Sequence, residues 1–214
     1  MNNIFILECD SNISYIKDMI KDLETMSNDI MSFFGLEKIH SKIKIVIYNN
    51  LKKYQKHIEK YTEYQDYMCA DTFDGKINIL SLAEAHKTKE HQNMTIDDWK
   101  NTILHEFVHI CQQECELEHL NKDVVWLWEA LATNLGNPRM FQKIIIMASN
   151  EEINNFNSLS QNYSIAYTIG KYMLDNYNHE DILKYIKYPS KLLKDSDKIL
   201  NEARKWSIEK NIKM

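Results

Sequence analysis

His105 and His109 stand four residues apart in the run His105-Glu106-Phe107-Val108-His109, with a carboxylate directly after the first imidazole. On a helix, residues four apart lie about 40° apart around the axis, so both rings leave one face and can grip a single ion. Glu106 is rotated by about 100° from His105, which aims it at a water beside the metal rather than at the metal itself. The pattern H-E-x-x-H thus points to metal-assisted hydrolysis with the glutamate as general base. Leu104, Phe107 and Val108 are uncharged, as expected of a helix buried at the floor of a cleft.

Catalytic zinc takes three protein ligands and keeps a fourth position open, so a third ligand is required. Glu129, in Trp126-Leu127-Trp128-Glu129-Ala130-Leu131-Ala132-Thr133, is the best candidate. Nineteen residues stand between it and His109, enough for the first helix to finish and a second to return antiparallel beside the ion. Small Ala130 and Ala132 permit a close approach, and Trp126 and Trp128 are placed to keep bulk water out. Glu114, Glu116 and Glu118 lie too far along the axis of the first helix to meet the same ion. Cys111, Cys115 and His119 recur every four residues, but around the helix from the two histidines, and the burial preference of cysteine favours a core role. His40, His57, His86, His91, His119 and His179 lack ligand spacing and read as surface or loop residues.

The elements that must hold these residues are mostly helical. Four glycines and two prolines in 214 residues leave little room for tight turns and disfavour an all-β fold. Ile4 to Leu7 reads as a strand, followed by a helix capped at Asp10 or Ser11, running to about Phe34 and closed by Gly35. Ile43 to Tyr48 alternates and is a strand; Leu51 to about Lys60 is a helix. Tyr67 to Ala70 and Lys76 to Leu80 read as strands joined by a hairpin turn at Asp74-Gly75. Thr95 and Asp98 form a capping box that opens the helix carrying the two histidines. Val124 to Leu135 is a further helix, and Gly136-Asn137-Pro138 a stop and restart. Arg139 to Met147, Ser160 to Asn178, Glu180 to Lys187 and Ser190 to about Lys210 complete the helical set. The expected fold class is α+β and mostly helical, one unit over 1–214 with a small mixed sheet in the N-terminal half (1–94) and a helical part over 95–214.

Composition narrows the function classes. Hydrophobic residues make up 44% and charged residues 27%, ordinary for a globular chain. A net charge of −5 with scattered Lys and Arg gives no footprint for nucleic acid. No apolar run reaches the length of a membrane span or of a signal h-region, so no membrane role and a cytoplasmic location are expected. Cys9, Cys69, Cys111 and Cys115 are widely spaced, and reduced thiols are expected.

Between Gly75 and Asp175, about half the chain, the sequence resembles the thermolysin-like gluzincins, especially the small bacterial group of peptidase-MA-like proteins. The matching pieces are the strand Gly75-Lys76-Ile77-Asn78-Ile79, the helix of His105-Glu106-Phe107-Val108-His109, and the segment Trp128-Glu129-Ala130-Leu131-Ala132. Trp126 and Glu129 fit the pattern W-x-x-E-G-x-A with Ala130 in place of glycine. Tyr163-Ser164-Ile165-Ala166-Tyr167 looks like the tyrosine-bearing helix that follows. The resemblance implies a zincin-type fold and one Zn2+ per chain bound by His105, His109 and Glu129. It also implies Glu106 as general base and proton donor, and Tyr163 or Tyr167 as a donor to the oxyanion. By the resemblance the strand Lys76 to Leu80 would be the family's edge strand, pairing with an extended substrate; an interior strand with both edges filled fits the sequence equally. Many relatives carry an acidic residue one turn after the glutamate ligand, where it orients a histidine; here Thr133 and Asn134 stand at that place, with Asp123 or a backbone carbonyl as substitutes.

The expected function is therefore zinc-dependent hydrolysis of a peptide or protein substrate. The alternatives are an intracellular regulatory protease that cuts a single partner, and a catalytically inactive zinc-binding scaffold. Glu106 argues against the last, because a structural site needs no base beside its first ligand.

Overall fold

A computed structural model describes residues 4–9, 15–118, 124–136, 143–158 and 161–212. The fold is α+β and mostly helical, with a small mixed sheet in the N-terminal half, as the sequence leads one to expect. Contacts group the chain into two compact units, 1–111 and 112–214.

In the first unit, strand β1 (Phe5–Cys9) precedes helix α1 (Tyr15–Phe33), then strand β2 (Ile43–Tyr48) and helix α2 (Leu51–Ile58). Strand β3 (Ala70–Asp71), strand β4 (Ile77–Leu80) and the short helix α3 (Leu82–Ala85) follow, and helix α4 (Ile96–Cys115) carries the two histidines. The proposed caps of α1 lie outside the described residues, but its end is as read. Gly35 takes a left-handed φ of +66°, Leu36 N donates to Met31 O at 2.9 Å and Gly35 N to Ser32 O at 3.1 Å, satisfying carbonyls the helix leaves open.

The strand order is β1-β2-β4-β3, with β1, β2 and β4 parallel and β3 antiparallel to β4. Ile45 and Ile47 of β2 stand beside Ile77 and Ile79 of β4, and all four are buried. Burying one such side chain contributes about 1.5–3 kcal/mol. The strand Lys76 to Leu80 is not an edge strand. Its paired residues, Ile77–Leu80 of β4, lie between β2 and β3, all four are buried, and Leu80 N donates to Cys69 O. Burial on both faces matches the near-continuous apolar character of an interior strand. The hairpin at Asp74-Gly75 is present, with Gly75 at φ +71°, but its first strand is only Ala70–Asp71.

Thr95 and Asp98 start α4 as a capping box: Asp98 N donates to Thr95 Oγ1 at 3.1 Å, and Thr95 N to Asp98 Oδ2 at 3.0 Å. Asp97 and Asp98 in the first turn also suit the positive end of the helix dipole. Trp99 Nε1 donates to Leu80 O at 2.7 Å, and the rings of Phe107 and Phe5 meet edge to face at 5.3 Å. These contacts bind α4 to both the interior strand and β1.

The second unit holds helices α5 (Val125–Leu135), α6 (Asn150–Asn154), α7 (Asn162–Asn176), α8 (His179–Lys187) and α9 (Pro189–Ile212), with a single 3-10 turn at Phe156–Ser158. Helices α5 and α7 pack closely along Gly170, which faces the Ala130 carbonyl. Tyr172 and Tyr177 hydroxyls both donate to Glu202 Oε2, at 3.0 and 3.1 Å, tying α7 and the turn after it to α9.

Two expectations need correction here. Of the helix expected over Arg139 to Met147, residues 139–142 lie outside the described residues, and 143–147 are not helical. That segment runs along α9 instead, where Asn211 Nδ2 donates to Ile144 O and Arg204 Nη2 to Ala148 O. Helix α6 was not expected, although Ser149 and Glu152 form its capping box.

Candidate metal centre

Helix α4 buries Ile103 through Val108 without a break, including His105 at 8% and Glu106 at 9% exposure, and leaves His109 half-buried. Four-residue spacing turns both imidazoles to one side, and their Nε2 atoms come to 3.2 Å from each other. Two nitrogens on one tetrahedral zinc, each about 2.0–2.1 Å from it, stand about 3.3 Å apart. The pair is thus spaced as two ligands of one ion are spaced. The rings lie at 85° to one another, edge on, rather than stacked.

Glu129 is half-buried on α5. Ligand atoms of His105, His109 and Glu129 all lie within 4.8 Å of one another, the one such group of His, Cys, Asp or Glu among the described residues. Two imidazoles and a carboxylate are a donor set that suits zinc. Cys111 and Cys115 are buried thiols and belong to no such group among the described residues, in line with a core role; His119 lies outside them.

No protein-family model matches the chain, and no curated protein or solved structure matches it.

Thr133 and Asn134, which replace the expected acidic residue, serve helix packing. Thr133 Oγ1 donates to Glu129 O at 2.7 Å within its own helix. Asn134 Nδ2 donates to Ala130 O at 2.8 Å and to Tyr167 O at 3.0 Å, linking α5 to α7. Asp123 lies outside the described residues. Tyr163 and Tyr167 are half-buried on α7; the ring of Tyr163 meets Phe156 edge on, and Tyr167 is tied to α5 through its backbone carbonyl. Trp126 is buried and Trp128 half-buried.

The negative charge of Glu106 reaches two groups of the first unit. It adds to the burial that raises the Tyr54 hydroxyl and the Cys69 thiol above their ordinary ranges. Near these groups lies a polar cluster that sequence reading missed. His57 and His91 are buried rather than surface residues, and His57 Nε2 bonds to Asp71 Oδ1 at 3.1 Å with both side chains almost wholly enclosed. The same oxygen accepts from Asn78 Nδ2 at 3.1 Å and Phe73 N at 3.2 Å. Only the helical face shared by Tyr54 and His57 hinted at this in the sequence, because Asp71 comes from a different element.

A second residue escaped the sequence reading. Gln112 follows His109 by three residues, so it projects within about 20° of His105 around the helix. Its side chain is fully buried, and its Nε2 donates to Trp128 O at 3.1 Å. The available signal was an amide seven residues after the first histidine, on the same face of the helix as that histidine, which its neighbour Gln113 is not.

Proposed function

We propose that the chain is a zinc-dependent metallopeptidase of the gluzincin kind that hydrolyses peptide bonds in a peptide or protein substrate. The observation that carries this reading is the convergence of His105 and His109 Nε2 at 3.2 Å, with a Glu129 carboxylate oxygen inside the same 4.8 Å group. Supporting it is Glu106, a buried carboxylate on the turn between the two histidines.

A zinc ion held by this donor set would lower the pKa of water to about 7 and polarise a substrate carbonyl. Glu106 then has a proton to handle: its carboxylate accepts one from the attacking water and returns it to the departing amine. Burial keeps its charge in a setting of low dielectric, where it acts strongly on a nearby proton. The donor to the oxyanion is assigned to Tyr163 or Tyr167, each half-buried on α7.

Within this proposal neither nucleic acid nor membrane is a partner, in keeping with the net charge of −5. No helix among the described residues is long and apolar enough to cross a membrane. A cytoplasmic setting suits the four cysteines, all present as thiols.

The test is Glu106→Gln, assayed for zinc content and for hydrolysis of an unstructured protein such as casein. Zinc at the wild-type level with hydrolysis lost supports the reading. Equal hydrolysis in the variant removes Glu106 from the chemistry. A wild type that binds zinc and cleaves neither generic peptides nor casein favours the scaffold or the single-partner protease.

A further inference from the structure

Glu129 reaches the ligand group from α5, while both histidines come from α4, so the site depends on what holds α5 in register with α4. Within the second unit one such tie is Gln112, the last-but-three residue of α4, whose amide Nε2 donates to the backbone carbonyl of Trp128 at 3.1 Å. Trp128 immediately precedes Glu129. A carbonyl has a second lone pair beyond the one used along its own helix, and a buried amide donor has strong reason to take it. Gln112 is 0% exposed, so bulk water does not compete for that bond.

We propose that Gln112 is a positioning residue for the metal: by fixing the Trp128 carbonyl it sets where Glu129 enters the ligand group. The inference rests on the zinc reading above. Gln112 itself does not touch the ion. It lies one turn beyond His109 on the same face, so the helix that carries both proposed histidine ligands also carries the clamp for the third. On the far side of α5, Asn134 Nδ2 bonds to Tyr167 O and Gly170 packs against Ala130. Those contacts set how α5 lies on α7. Gln112 alone among these three starts from the helix of the two histidines.

The experiment is a double-mutant cycle on zinc affinity, measured by competition with a chromogenic chelator, using wild type, Gln112→Met, Glu129→Ala and the double variant. Methionine keeps the length and volume of glutamine and removes the donor. Far-UV circular dichroism and the melting of the zinc-free forms establish that each variant is folded. Gln112→Asn, whose amide stops short of the carbonyl, repeats the test with a polar side chain. The expected result is zinc binding weakened about tenfold to a hundredfold by Gln112→Met, the range found for residues that orient ligands. The double variant should bind as weakly as Glu129→Ala alone. Wild-type affinity in folded Gln112→Met and Gln112→Asn overturns the inference, and so does an equal loss with and without Glu129. A wild type that takes up no zinc overturns the zinc reading, and the inference with it.

Discussion

Gly170 of α7 lies directly against Ala130 of α5: a methyl group added there would overlap the Ala130 carbonyl oxygen and the Asn134 amide nitrogen. Ala130 neighbours Glu129, so the helix that carries this proposed ligand is pressed tightly onto α7 here. Replacing glycine by alanine within an exposed helix stabilises by about 1 kcal/mol. Here the sign should reverse. Gly170→Ala should destabilise by about 1–3 kcal/mol, the range for overpacking. Urea unfolding measures this, and an unchanged or raised midpoint would show that α5 and α7 have slack.

Glu129→Ala removes one of the three proposed ligands. It should weaken zinc binding by more than the about tenfold to hundredfold typical of losing an orienting partner. Elemental analysis after gel filtration should find about one zinc per wild-type chain and little in the variant. Retained zinc in the variant would mean that the third ligand lies elsewhere.

Glu106→Gln separates chemistry from binding. On the proposed mechanism, loss of the general base lowers turnover by about 10²–10⁴-fold, while all three proposed ligands remain. Steady-state hydrolysis and metal content on one preparation should therefore diverge.

Asp71 gathers three donors, from His57, Asn78 and Phe73, on one buried oxygen. Asp71→Ala would leave the buried His57 without this acceptor, while Asn78 keeps Asp74 Oδ1 and exposed Phe73 can turn to water. The loss should be about 1–3 kcal/mol, the range for an unsatisfied buried polar group. Because the pair is enclosed, salt should change the loss little. A loss below about 1 kcal/mol in urea unfolding would mean that water replaces the carboxylate freely.

Burial, with the Glu106 charge adding to it, pushes the Cys69 thiol from an ordinary 9.0 up to about 12. The folded chain keeps this thiol neutral while the unfolded chain ionises it first. Its contribution to stability is thus fully present below pH 9 and lost as pH rises towards about 12. Denaturation series across that window should show the loss, and Cys69→Ala should lessen it, most clearly below pH 10, before the raised hydroxyls of Tyr54, Tyr172, Tyr177 and Tyr185 add the same trend. At pH 8 a thiol reagent should reach half-buried Cys9 well before buried Cys69, Cys111 and Cys115.

Local signals were legible in the sequence. The capping box at Thr95 and Asp98, the left-handed Gly35 and the Asp74-Gly75 turn each act within a few residues, and each is found where its chemistry places it. Four-residue spacing was enough to bring the two imidazoles together, because helix geometry alone decides it. Strand order was not legible. Lys76 to Leu80 reads equally as an edge or an interior strand, and only β3, two residues long, settles it as interior. The run Ile144-Ile145-Ile146-Met147 was misread as helix: a short apolar run fits either period, and branched side chains weaken the helix. Gln112 and His57 were passed over for a common reason. Their partners, the Trp128 carbonyl and Asp71, lie on other elements, and spacing along one element says nothing about them.

The divide between the two compact units falls inside α4, between Cys111 and Gln112. No linker separates the halves, so neither can be excised at its natural limit without severing an intact helix. A cut there would leave both histidines on one fragment and Gln112 with Glu129 on the other. If the proposed zinc reading is right, neither fragment expressed alone should retain zinc, which elemental analysis of the two fragments checks.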